Sequence, residues 1–150
     1  MPGAAGAAGP VGPAGPTGPQ GVVTIANIMA QNPYSTLPAN SDRAWFSNTV
    51  IVTTTASQRI TGVVSANASA NQAVAFNFSL CFRPQGATTA PLTFTTPLTS
   101  PVTNTTSNVT FTAADSVVPG AGTGEVGLCC TNNTATEVLG GSIGWVMVTN

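Results

Sequence analysis

Glycine occupies every third position from Gly3 to Gly21, through Gly6, Gly9, Gly12, Gly15 and Gly18, and Pro10, Pro13, Pro16 and Pro19 each follow one of these glycines directly. Three polyproline-like chains wind around a common axis only when every third residue lacks a side chain, because the axis leaves no room for a Cβ. A flexible Gly/Pro/Ala linker needs no strict period, and this period never slips. Residues 1–21 are therefore expected to form a collagen-like Gly-X-Y stalk, a rod of roughly 60 Å at about 3 Å per residue. The working unit is then expected to be a homotrimer. Thr24 stands where the next glycine would fall, which ends the stalk at Gly21.

Residues 22–150 are long enough for one ordinary domain with a single hydrophobic core. Hydrophobic residues make up 42% of the chain but charged residues only 5%, against about a quarter in typical soluble domains. Thr, Ser, Asn and Gln supply the polarity instead. A coat of hydroxyls and amides stays wet without generating a field, so its behaviour depends little on salt or pH. Such a surface suits an exposed, weather-resistant structure. Arg43, Arg59 and Arg83 are scattered and offset by Asp42, Asp115, Glu125 and Glu137, so there is no basic stripe to neutralise the phosphates of a nucleic acid. No apolar run approaches the length of a membrane span. The opening MPGAAGAAGP has neither a basic nor an apolar signal region, leaving open whether an export signal was removed.

Beyond Gly21 β-rich runs alternate with turn signals, and no window carries a helical period, so the domain reads as all-β. Strands are expected at Val22 to Ala30, Ala44 to Thr55, Gln58 to Ala66, Thr106 to Ala114, Glu125 to Thr131 and Ser142 to Val148. Pro33 and Pro38 mark the first connection as a loop. The clearest alternation is QAVAFNFSLCF, which sets Val74, Phe76, Phe78, Leu80 and Phe82 on one face, expected to be core, and Ala75, Asn77, Ser79 and Cys81 on the other. Arg83 to Thr103, rich in proline, reads as a long connection with one edge strand at LTFTT. Pro119 to Gly124 reads as a turn. Roughly eight strands of this kind suggest a jelly-roll β-sandwich head. Gly144 beside Trp145 reads as a glycine that eases the indole into the core.

The stalk motif GPVGPAGPTGPQG, followed by a compact β domain ending in GWVMVTN, resembles bacterial collagen-like surface proteins, including the hair-like filament proteins of spore surfaces. The resemblance implies a trimeric head similar to those of C1q and tumour necrosis factor, and a place outside the cell or on a cell or spore surface. Proline falls only at the first position after glycine, never at the second, which fits a chain made without prolyl hydroxylation, as in a bacterium or phage.

The chain holds neither histidine nor lysine. Histidine is the commonest general base near neutral pH and the commonest metal ligand, and the four carboxylates are isolated. We therefore expect no enzyme, no cofactor and no catalytic or metal site. Asp115, Glu125 and Glu137 lack the spacing of a calcium loop.

Cys81, Cys129 and Cys130 remain. Strand parity puts Cys129 and Cys130 on opposite faces, with Cys130 in phase with Val126 and Leu128 and hence expected as a buried thiol. A Cys81–Cys129 bridge would staple neighbouring strands across the sandwich. Three reduced thiols, or a link between chains through the odd cysteine, are the alternatives.

The expected role is that of a structural surface-filament protein whose C-terminal head trimerises, sets the register of three chains and caps the collagen rod. The alternative is an adhesin tip of a bacterial or phage fibre, binding a glycan or a receptor through its head loops. Sugar sites generally present aromatic platforms, and only Tyr34, Trp45 and Trp145 are amphipathic aromatics.

Overall fold

The computed structural model describes residues 1–4, 21–37, 43–70, 74–94, 98–102, 109–132 and 136–150. The body of the stalk, with Gly6, Gly9, Gly12, Gly15 and Gly18, lies outside them. The described residues form ten strands and no helix, all pairing antiparallel: β1 (Val22–Leu37), β2 (Ala44–Trp45), β3 (Val50–Thr54), β4 (Arg59–Ala70), β5 (Val74–Pro84), β6 (Leu92–Thr93), β7 (Leu98–Val102), β8 (Val109–Val117), β9 (Gly122–Asn132) and β10 (Thr136–Thr149). One sheet runs β1-β10-β4-β8. The other runs β2-β9-β5-β6, with β3 also on β9 and β7 also on β5.

Alternation along the strands builds the core between the sheets. Ile28, Ile60, Val64, Ala68, Ala113, Val146 and Val148 come from the first sheet, and Val52, Phe78, Leu80, Val126, Leu128 and Cys130 from the second. Phe46 meets Phe78 edge-on, with ring centroids 5.1 Å apart, and Phe82 packs partly buried against the same cluster. In the expected core face of β5, Phe78 and Leu80 are buried as the alternation requires. The side chains of Val74 and Phe76 lie outside the described set.

Three sequence expectations need correction. First, Pro33 does not end the first strand, which runs on to Leu37. β1 lies at a sheet edge, and its register shifts between Asn32 and Ser35, so a bulge absorbs the proline where no ladder donor is required. Pro101 lies in β7, whose one partner among the described residues is β5, and the Arg83 to Thr103 connection carries two short strands, β6 and β7, rather than one.

Second, AWFSNTVIVTTT is two strands. Trp45 faces Cys129 and Val50 faces Val126, so four residues of one strand stand opposite two of the other. The Ser47 hydroxyl fills the gap by accepting from the Leu128 N–H at 2.8 Å, while the N–H groups of Phe46 and Ser47 both donate to the Leu128 carbonyl.

Third, β9 starts inside the expected PGAGTG turn, at Gly122. The tight part of that turn centres on Gly120, whose φ of 91° favours glycine. Its carbonyl accepts from the Thr54 hydroxyl at 2.6 Å.

Candidate functional site

The sequence-expected cysteine pair is joined in the structure: Cys81 and Cys129 form a disulfide with Cα atoms 5.9 Å apart, inside the range that a bridge tolerates. The bridge does not cross the sandwich. β5 and β9 are neighbours in one sheet, Cys81 faces Gly127 and Cys129 faces Ser79, so the two cysteines are diagonal neighbours on the sheet's outer side. Both are nevertheless fully buried. Trp45, directly opposite Cys129, lies under the Arg83 guanidinium at 5.6 Å, and Arg83 is anchored by Glu125 at 2.6 Å. From the β2 edge, Arg43 donates to the Pro91 carbonyl at 3.3 Å beside the opposite edge. The bridge is thus a roofed cross-link. Cys130 points the other way, into the core, where burial pushes its thiol pKa up to about 12 and keeps it protonated.

Gly144 has a different task from the one expected. A Cβ there would run into the Val63 carbonyl and stand 2.6 Å from the Val64 Cα, so the glycine permits close approach of β10 to β4. Trp145 is not in the core. It stands on the outward side of the first sheet, 38% exposed.

That outward side is the principal candidate surface. The ladder registers place Met29, Ile143, Ser65 and Thr112 in one row, Asn27, Trp145, Val63 and Ala114 in the next, and Ile25, Met147, Thr61 and Ser116 in a third. Ile25 and Ile143 are each 65% exposed and Met29 is 56% exposed. Apolar side chains therefore cluster over β1 and β10, and hydroxyls over β4 and β8, where Ser65 and Thr112 share a 2.8 Å hydrogen bond. Arg59, bonded to the Ser116 hydroxyl, marks one end of the face. Exposed apolar residues scattered singly are ordinary on soluble proteins, whereas a contiguous patch marks a contact surface.

Sequence reasoning missed this surface, although a signal exists. VVTIANIMA and SIGWVMV are apolar at both strand parities, with Ile25 and Met29 against Ile28, and Ile143, Trp145 and Met147 against Val146 and Val148. A strand apolar on both sides has a use for both sides.

Among the described residues no three His, Cys, Asp or Glu groups converge where a metal could be held. Glu125 is occupied by Arg83, and one Asp115 carboxylate oxygen accepts from the Ser116 N–H at 2.7 Å. Among the described residues no helix is long and apolar enough to cross a membrane. Compared with known protein families, curated proteins and solved structures, the chain matches none.

Proposed function

We propose that this chain is a structural surface-filament protein whose head self-associates as a trimer, registers three chains and caps a collagen-like rod. The observation that carries the reading is the apolar outward face at Ile25, Met29, Ile143, Trp145 and Met147, in a chain whose first strand begins at Val22, immediately after the last glycine of the Gly-X-Y repeat. A triple helix has a costly nucleus because three chains must meet in register, and six triplets gain too little to offset the lost chain entropy unless something holds the ends together. An apolar face on each head supplies that association. Its partner is taken to be a second copy of itself, since the repeat demands two further Gly-X-Y chains and a threefold arrangement of identical copies closes the assembly.

The finer topology fits the proposal. β1 pairs with β10, β3 with β9, β4 with β8 and β5 with β7. Pairings nested in this way describe one long antiparallel ribbon folded back on itself, the path of a jelly roll. The extracellular or spore-surface setting follows from the same reading and from the nearly uncharged composition. The adhesin alternative draws less support, because the exposed indole of Trp145 has Asn27 and Val63 as cross-strand neighbours and Ile25 and Met147 on the adjoining row, a setting for protein contact rather than for a sugar.

Sedimentation equilibrium tests the reading. The full chain, 14.9 kDa per protomer, is expected to sediment as three copies at micromolar concentration with little dependence on salt, and Ile143→Glu is expected to shift it to monomer. A monomeric parent chain would overturn the proposal.

A further inference from the structure

At the base of the first sheet, three segments distant in sequence meet around two amides. β1 and β10 open their ladder at Val22 opposite Thr149. Immediately outside that pair the Asn150 N–H donates to the Gly21 carbonyl at 3.4 Å, a long bond that by itself fixes little. The Asn150 side chain is held much more firmly. Its Oδ1 accepts from Gln58 Nε2 at 2.7 Å, and Gln58 Oε1 accepts from the Thr55 N–H at 2.9 Å. Gln58 is 8% exposed, so both ends of a largely buried amide are satisfied, one within its own turn and one on Asn150. Losing either partner leaves a buried polar group unpaired. Asn150 itself is exposed.

We infer that Gln58 and Asn150 form a clamp that fixes Gly21, the point where the chain passes from head to stalk, and that they are positioning residues for winding the triple helix. The inference rests on the trimeric-stalk reading above. Chains that enter a triple helix must converge on one axis with a defined stagger, and freedom at the point of entry adds to the entropy that winding must remove. Gly21 carries no side chain with which to anchor itself, and a Cβ there would meet nothing within 4 Å. The relay from the Thr55 turn through Gln58 and Asn150 anchors its carbonyl from outside.

The test uses the full chain and compares Asn150→Ala, Asn150→Asp and Gln58→Met with the parent. Asn150→Ala removes the acceptor at an exposed position, Asn150→Asp retains an Oδ acceptor, and Gln58→Met preserves volume while removing both amide contacts. The melting of the collagen circular-dichroism band is followed separately from unfolding of the head. Backbone exchange of the Asn150 amide is read in parallel. The expected result is that Asn150→Ala and Gln58→Met lower the collagen melting temperature, that Asn150→Ala also lowers head stability because it leaves the Gln58 amide unpaired, and that Asn150→Asp behaves as the parent in both transitions. Exchange of the Asn150 amide should rise about fivefold in Asn150→Ala, the factor corresponding to one hydrogen bond. A collagen band that melts identically in all four proteins overturns the clamp and leaves the stalk reading standing. Absence of the band from the parent overturns the stalk reading, and the clamp with it.

Discussion

Removing the roofed disulfide should cost the head a large part of its stability, mainly through the unfolded chain. The bridge joins residues separated by 48 positions. In the chain-entropy account, closing a loop of that size removes about 13–14 cal/mol/K from the unfolded ensemble, or roughly 4 kcal/mol at 25 °C. The double variant Cys81→Ala/Cys129→Ala also empties the space of two buried sulfur atoms, about 1 kcal/mol each if the roof does not settle. Together these amount to about 4–6 kcal/mol, a large share of the 5–15 kcal/mol typical of a domain, and lower the melting temperature by roughly 10–20 °C. Equilibrium unfolding in guanidinium measures the loss, at one fixed protomer concentration so that the proposed self-association would contribute equally to every variant. If the effect lies in the unfolded state, the slope of free energy against denaturant should also rise, since an unlinked chain exposes more surface on unfolding. Cys130→Ala is the control: it removes a buried thiol but closes no loop. A double variant within about 1 kcal/mol of the parent would refute the reasoning, as would three alkylatable thiols in parent protein denatured without reductant.

Cys130 makes stability fall in alkali. Its folded pKa, raised to about 12 by burial, exceeds the ordinary 9.0, so above pH 9 the unfolded chain holds fewer protons than the folded one. Stability should be flat from this group below pH 9 and then decline by up to about 1.4 kcal/mol per pH unit, and denaturant titrations of Cys130→Ala between pH 8 and 10.5 should lack that decline. Gly144→Ala should destabilise the head by roughly 1–3 kcal/mol, because the new methyl meets the Val63 carbonyl and Val64 backbone rather than a yielding side-chain tip; thermal unfolding unchanged from the parent would contradict this. If the head nucleates the stalk, order spreads from Gly21 towards Met1, so Gly18→Ala should reduce the collagen circular-dichroism signal more than Gly6→Ala. Equal losses would argue against nucleation by the head.

The division between what the chain announces and what folding decides follows the range of the interactions. A Gly-X-Y period is a local steric requirement repeated without interruption, so the expectation of a stalk is drawn residue by residue; the alternation that sends Phe78 and Leu80 inward from β5 is local in the same way, and there the structure shows the outcome. Parity alone likewise separates Cys129 from Cys130. It could not say whether Cys81 lay beside Cys129 or on the facing sheet, because strand order is a long-range property of the chain, and only the pairing of β5 with β9 put the bridge within one sheet. Pro33 and Gly144 show the same limit. Each has a clear local preference, a break at Pro33 and close packing at Gly144, but the outcome was set by the neighbouring strand, through an edge that tolerates a missing donor and a ladder that leaves no room for a Cβ. The apolar outward face lies furthest from local reading. Ile25, Met29, Ile143 and Trp145 sit in two strands at opposite ends of the domain's sequence, and they become one surface only because β1 closes against β10. Burial of a side chain's own strand can be inferred from its near neighbours, whereas a surface shared between distant strands exists only once backbone hydrogen bonding has brought them side by side.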